Sequence, residues 1–375
     1  MTFWLTVLFV VLAVLMLVFL FMKTYPAFGG TPSPEQKRRI RNSGNFSGGK
    51  FNNPVPTSMK MSPKTMAGLL VEQIKGNPGR RPENELASEP LDGLDAPEAD
   101  PLQVTWFGHS AFMLRIHGST LLFDPMLGNA PSPVPAFGGK RYGRPIEIDR
   151  IPAVDAVVIS HDHYDHLDYG SIKKLKDRVG RFFVPLGVGA HLERWGVEPN
   201  KIKEHDWWEE TEFQGLVLTS APARHFSGRG LTNRNSTLWC SWIVRAPEAR
   251  VFFSGDSGYG PHFAEIGDKY GPFDLTLMEC GQYDERWAAI HMLPEETVQA
   301  HLDVKGKRMI PVHWGAFTLA MHHWTDPAER AVKAAKARGV AILTPKIGQT
   351  LAIGESDIPT AAWWRTAGAM GRTGG

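Results

Sequence analysis

A single short run carries much of the chemistry available to this 375-residue chain: Ser160-His161-Asp162-His163-Tyr164-Asp165-His166-Leu167-Asp168. Its imidazoles and the Asp165 carboxylate fall at i, i+2, i+4 and i+5, a spacing that converges on metal only where the backbone turns. The run follows an apolar stretch at 154–159 that reads as a strand, so it sits in the loop at a strand's C-terminal end, a usual place for ligands in layered folds. Further donors follow other strand-like runs: His225 after 216–220, Asp256 in Phe253-Ser254-Gly255-Asp256-Ser257-Gly258, and His313 in Pro311-Val312-His313-Trp314-Gly315. Singly, each is as well read as a satisfied polar group or a turn. Together with the histidine run they supply enough imidazole and carboxylate for two ions of four or five ligands each. Such a set without thiolate suits zinc, with iron or manganese chemically allowed. Cys240 and Cys280 are not placed like zinc-finger ligands and are too few for a disulfide framework.

These residues need a scaffold, and the texture from Leu102 onward provides one. Strand-like runs are expected at 103–107, 111–116, 120–123, 156–160, 182–185, 216–220, 239–245, 250–254, 275–279, 309–312, 341–344 and 349–353, with His117-Gly118 as a tight turn. Helices are expected at 169–178, 294–303 and 326–338, the last with Asp326 as N-cap before a proline. Strands outnumbering helices in mixed order point to stacked sheets with helices outside. No repeat recurs at a fixed period, although the alternation can conceal two related halves.

Residues 3–22 are apolar apart from Thr6, uncharged, and span roughly 30 Å as a helix, the thickness of a bilayer core. No Lys or Arg precedes the run and no clear small-residue cleavage site follows it, which favours an uncleaved single-pass anchor over a signal peptide. The nearest basic residues, Lys23, Lys37, Arg38, Arg39 and Arg41, lie after it and place the body of the chain on the cytoplasmic face. Residues 23–101 are rich in Pro, Gly, Ser and Asn, basic as far as Arg81 and acidic from Glu83 to Asp100, with one short helical stretch at 66–74. They read as a flexible tether whose basic part is attracted to anionic lipid. A net charge of +2 argues against a nucleic-acid binder, and 42% hydrophobic residues exclude a disordered chain. The folded domain is expected over 102–356 and a tail over 357–375. The tail's Trp363-Trp364 reads as core, with a lipid interface as the lesser alternative.

The histidine run, the later His, the Gly-Asp and the final His resemble the metallo-β-lactamase superfamily over residues 102–355. Narrower stretches are similar to its N-acyl-phosphatidylethanolamine-hydrolysing phospholipase D branch, closest to bacterial relatives: Thr105-Trp106-Phe107-Gly108-His109-Ser110, the run from Ser160 to Tyr169, Phe252 to Tyr259, His291-Met292-Leu293-Pro294-Glu295-Glu296 and Val312 to Phe317. Asp162, where the mammalian enzymes carry Asn, and the run before His291 depart from that branch.

The resemblance implies an αββα sandwich with two zinc ions at the sheet edge. One ion would be held by His161, His163, His225 and Asp256, the other by Asp165, His166, His313 and the same Asp256, with Asp165 and Asp256 as the catalytic carboxylates. Two cations sharing a water bring its pKa toward neutrality and supply hydroxide. By the same matching Tyr164 and His291 contact a phospholipid. His291 also precedes a helix start, where phosphate binding is favoured. His109 and Asp168 are expected behind the ligands, Asp168 orienting a ligating His. The expected function is membrane-tethered hydrolysis of a phospholipid phosphodiester. The alternatives are a hydrolase of a soluble lactone or of a sugar or cyclic phosphate ester, and a non-catalytic metal-binding scaffold at the membrane.

Overall fold

Alternating apolar runs bounded by glycine turns pair into two sheets, seen in a computed structural model that describes residues 2–59, 61–94, 102–354 and 361–367. In chain order the elements are α1 (Thr2–Thr24), α2 (Pro34–Asn42), β1 (Phe46–Ser47), β2 (Lys50–Phe51), α3 (Pro63–Lys75), β3 (Leu102–Trp106), β4 (Phe112–Ile116), β5 (Ser119–Phe123), β6 (Val154–Val158), α4 (Tyr169–Leu175), β7 (Val179–Pro185), α5 (Gly189–Arg194), β8 (Ile202–His205), β9 (Glu210–Phe213), β10 (Leu216–Ala221), β11 (Ser241–Arg245), β12 (Arg250–Phe253), α6 (His262–Tyr270), β13 (Phe273–Glu279), α7 (Pro294–Asp303), β14 (Gly306–Val312), α8 (Asp326–Ala337), β15 (Ala341–Ile342) and β16 (Thr350–Ala352). One sheet runs β16-β3-β4-β5-β6-β7-β8 and the other β15-β14-β13-β12-β11-β10-β9. Each begins as an antiparallel meander and continues as parallel strands, from β5 through β8 in the first and from β12 through β15 in the second. That shared plan is the concealed pair of halves. The β4–β5 hairpin closes on His117 and Gly118, both at positive φ, the turn whose twist matches paired strands.

The sheets pack face to face. Phe112 and Phe123 stack at 4.5 Å and meet Phe253 of the other sheet edge-on at 5.1 and 5.7 Å. Each such buried ring contributes about 1.5–3 kcal/mol. A second apolar layer, with Phe263, Ile266, Val298 and Ala335, seats α6, α7 and α8 on the outer face of the second sheet, while Ile172 and Leu175 bury α4 in the main core. The result is the expected αββα order.

Two sequence expectations give way. The described parts of 23–94 are not wholly a free tether: Ala27, Ile40, Phe51, Leu86 and Leu91 are buried, and Leu86 bridges to Gly143, whereas no residue of α3 is buried. The polar composition suggested a solvated linker, but a few well-spaced apolar residues hold the segment against the domain. Part of its acidic run (Asp95, Glu98, Asp100) and Lys60 lie outside the described residues, as do 355–360 and 368–375 of the domain end and tail. Asp326 is the first residue of α8 rather than its cap, which is Thr325. In the tail, Trp364 is buried against Trp314, as the core reading of that pair expects. No residue of α1 is buried, and its length and composition fit a membrane span or a signal sequence.

Candidate metal centre

The strand ends deliver their loops to one edge where the two sheets meet. β6 leads into His161, β10 into His225, β12 into Asp256 and β14 into His313. The backbone there is constrained: His109, Asp124 and His313 sit at φ 55°, 38° and 68°, a region that non-glycine residues seldom occupy. Two bonds lock the first and last, His109 N–H to Trp314 O at 2.8 Å and His313 N–H to His109 O at 2.9 Å. Gly255, at φ 55°, lets the Asp256 loop approach, since a Cβ there would stand 2.6 Å from the Cys240 carbonyl and 3.0 Å from the Ser160 Cβ.

The donors fall into three overlapping groups; the expected ligands lie in two of them, and the third joins Asp256 and His313 to Glu279 and His291. In the first, His163 Nδ1 lies 2.8 Å from His161 Nε2 and 3.3 Å from His225 Nε2, and Asp256 Oδ2 is 3.8 and 3.7 Å from those two Nε2 atoms. In the second, His166 Nε2 is 3.4 Å from Asp165 Oδ2, which is also 2.9 Å from His109 Nε2 and 4.0 Å from His313 Nε2. Asp256 reaches this side too, with Oδ2 3.1 Å from His166 Nε2 and Oδ1 3.1 Å from His313 Nδ1. The expected ligands therefore converge, with Asp256 between them. His109 Nε2 lies 2.9 Å from Asp165 Oδ2 and falls within the second group as a donor.

The outward hydrogen bonds fix the tautomers. His225 Nδ1 faces the Ile290 carbonyl at 2.9 Å, an acceptor only, so it carries the proton and leaves the Nε2 lone pair facing the cluster. His166 Nδ1 is 2.7 Å from Asp124 Oδ2. Ser160 Oγ donates to the same Asp124 oxygen at 2.5 Å and accepts from His161 Nδ1 at 2.9 Å. This is the arrangement by which carboxylates orient ligating histidines.

Asp124, rather than Asp168, holds that position. Asp168 Oδ2 accepts from Ser171 N and Ser171 Oγ and caps α4. His161, His225 and His313 are pushed well below the ordinary imidazole value, by burial first and by neighbouring histidines second. Burial brings His163 to about 4. His166 goes the other way, because Asp256, Asp165 and Asp124 outweigh its burial. Burial lifts Asp256 to about 6.

Neutral imidazoles at His161, His163, His225 and His313 beside buried carboxylates are what a divalent cation requires, and the proton that the carboxylates hold on His166 is one a cation would displace. An orphaned atom supports that fit: Asp256 Oδ1 is buried with no hydrogen bond despite lying 3.1 Å from His313 Nδ1. Leaving such an acceptor unpaired costs about 1–3 kcal/mol. The chemistry of the donor set thus fits metal on both sides of Asp256.

His291 stands at the edge of the site, its ring 5.0 Å from His225 and 5.1 Å from His313. Its Nδ1 is 2.9 Å from Glu279 Oε2, and Glu279 Oε1 accepts from Met292 N at 2.7 Å. Burial pushes that carboxyl well above its usual range. The Tyr164 hydroxyl donates to Arg229 O at 2.6 Å, and the Arg229 guanidinium lies 4.0 Å over the Tyr164 ring. Asp124 and Glu279 were missed by the sequence reading. Each ends a strand with an acid, a signal weaker than a histidine run but of the same kind.

A family model described as a beta-lactamase superfamily domain matches residues 119–314. An uncharacterized protein of Mycobacterium tuberculosis is 41% identical over 353 residues, 91% of this chain and 92% of that one. The N-acyl-phosphatidylethanolamine-hydrolyzing phospholipase D 1 of Caenorhabditis elegans is 32% identical over 251 residues, 63% of this chain and 70% of that enzyme. Among solved structures, a possible metal-dependent hydrolase from Veillonella parvula matches with a TM-score of 0.54 at 18% identity, covering 68% of this chain and 100% of that one. With the sandwich, the strand-end ligand loops and these likenesses in place, the chain belongs to the metallo-β-lactamase superfamily of metal-dependent hydrolases.

Proposed function

We propose that the chain is a membrane-tethered two-zinc phosphodiesterase of phospholipase D type, acting on N-acyl-phosphatidylethanolamine or a related phospholipid and releasing phosphatidic acid. The observation that carries this reading is Asp256, which stands between two donor clusters that together use the whole ligand set. The 32% identity to the nematode phospholipase D supports the lipid substrate, and the apolar α1 with Lys23 in its last turn supports attachment with the domain on the cytoplasmic face. No nucleic-acid partner is proposed.

His161, His163, His225 and Asp256 would hold one ion, and Asp165, His166, His313 and Asp256 the other. When bound, the pair supplies Lewis acidity and a water ionised near neutral pH. The protein's own groups do the rest. Asp124 and the Ile290 carbonyl keep imidazole lone pairs aimed inward, and burial of the donors excludes bulk water. His291, pinned by Glu279, lies beside both clusters, where a phosphoryl oxygen would be oriented. Tyr164 spends its hydroxyl on Arg229 O, so it would meet substrate through its ring.

Zinc-loaded full-length protein in mixed micelles with N-acyl-phosphatidylethanolamine, followed by mass spectrometry, tests the reading. Phosphatidic acid and N-acylethanolamine are expected with the unmutated protein and absent with His313→Ala. Cleavage of bis(p-nitrophenyl) phosphate alone would remove the lipid substrate and keep the phosphodiesterase. Inertness toward both would remove the phosphodiesterase as well.

A further inference from the structure

The segment between α1 and the domain touches the metal loops from two sides. On one side, Asn53 grips His225 through both backbone polar groups: Asn53 Nδ2 donates to His225 O at 2.8 Å, and His225 N donates to Asn53 Oδ1 at 3.1 Å. The grip is backed on either side. Phe51, fully buried, exchanges hydrogen bonds with Asn235, its N to Asn235 O at 2.9 Å and its O from Asn235 Nδ2 at 3.2 Å. Arg224, next to His225, reaches Pro56 O at 2.8 Å and Thr57 Oγ1 at 3.1 Å.

On the other side, Gly30 N donates to His191 Nδ1 at 2.9 Å. Nδ1 is thereby an acceptor, so His191 Nε2 carries the proton and donates to Asp162 Oδ2 at 3.3 Å. Asp162 lies between His161 and His163 and also accepts from Gly228 N at 2.7 Å and Thr237 Oγ1 at 2.9 Å. It is therefore a buried brace of the ligand loop. The start of the strap is fastened as well: Arg194 bonds to the carbonyls of Lys23, Thr24 and Gly29, and Arg229 Nε to that of Ala27.

We propose that Asn53 is a positioning residue for the metal ligand His225, so that the strap leading from α1 is a built-in part of the metal centre. This rests on the reading of His225 as a ligand. The His225 ring is oriented from outside by the Ile290 carbonyl, and its backbone by Asn53 alone among the described residues. Removing the amide leaves two backbone groups of a buried ligand without partners and lets the ring drift from the lone-pair geometry that an ion needs. Partners standing behind a ligand in this way typically govern metal affinity by about 10- to 100-fold.

The test is zinc titration of full-length protein in detergent against a chelator of known affinity, with the visible spectrum of cobalt(II) as a second readout. Asn53→Ala is expected to weaken one of the two zinc equivalents by about 10- to 100-fold and to change the cobalt spectrum. Asn53→Asp, which keeps the acceptor for His225 N, is expected to fall between it and the unmutated protein and serves as the probe if the alanine variant does not fold. Asn45→Ala removes a different strap contact, to Asp206 Oδ1 at 2.8 Å, and is expected to leave both readouts unchanged. Unaltered zinc affinity and cobalt spectrum in both Asn53 variants would overturn the proposal, and so would an equal loss in Asn45→Ala, which would mean that strap packing in general is being read. Should His225→Ala retain both ions, the ligand assignment itself fails and the proposal with it.

Discussion

Replacing Asp124 by Asn changes one atom's chemistry and almost no volume. Three donors converge on this carboxylate: Ser160 N at 2.7 Å on Oδ1, and Ser160 Oγ at 2.5 Å with His166 Nδ1 at 2.7 Å on Oδ2. An Asn can keep its oxygen toward Ser160 N, but its amide then faces His166 Nδ1 with hydrogens. The imidazole must answer by accepting at Nδ1 and carrying its proton on Nε2, the atom that stands 3.1 Å from Asp256 Oδ2 inside the cluster. A lone pair meant for an ion becomes an N–H. Losses of this kind run to about 10- to 100-fold in metal affinity, or roughly 1.4–2.7 kcal/mol. Asp168→Ala is the companion variant, since Asp168 caps α4 and its carboxylate makes no hydrogen bond to a candidate ligand; it is expected to cost about 1 kcal/mol of folding stability and no metal affinity. Chelator-competition titration with zinc, paired with urea unfolding of the metal-free proteins, separates the two effects. Unmutated zinc affinity in Asp124→Asn, or an equal loss in Asp168→Ala, would refute the reasoning.

Trp364→Ala is expected to lower stability by about 3–5 kcal/mol, visible as a shifted denaturant midpoint, because the ring is buried edge-on against Trp314 at 5.5 Å and its Nε1 donates to Glu329. Gly255→Ala forces a Cβ to 2.6 Å from the Cys240 carbonyl at positive φ, so both stability and zinc content are expected to fall, the latter read by elemental analysis. His205 and His301 are held near 4 by burial, below their unfolded value of about 6.5. Both are neutral in either state above that value; as pH falls from about 6.5 to about 4 the unfolded chain takes up protons that the native one refuses, and below about 4 the effect levels off. Stability should therefore drop by about 1–3 kcal/mol per histidine across that window, and His205→Phe should flatten the slope in urea unfolding at stepped pH.

The site was more legible than its supports. Histidines at short spacing after an apolar run, and acids or histidines closing later runs, leave a mark in one dimension because metal demands a rare combination of side chains. Asp124 left a fainter mark: it is one acid after a strand, and only the fold brings it 2.7 Å from His166. Helix α2 was missed although Ser33 and Gln36 form a reciprocal capping box, because the polar composition around it outweighed that local signal. The strap was misread for a related reason. Phe51 and Ile40 are isolated apolar residues with no period, and their burial depends on grooves supplied by distant chain segments. Edge strands β8 and β9 are short and half-polar, so tertiary pairing rather than propensity decides them.

The repeated topology of the two sheets has a consequence for how the molecule could be divided. On the proposed ligand assignment the first half would contribute His161, His163, Asp165 and His166, and the second His225, Asp256 and His313, so neither would own a complete coordination sphere. A chain cut between β8 and β9 would yield fragments whose shared interface is apolar and whose shared edge is a set of ligands. Their reassociation would then be graded by free zinc, each tenfold rise in concentration above the dissociation constants adding about 1.4 kcal/mol per ion to the union. In this sense the catalytic edge is also a clasp.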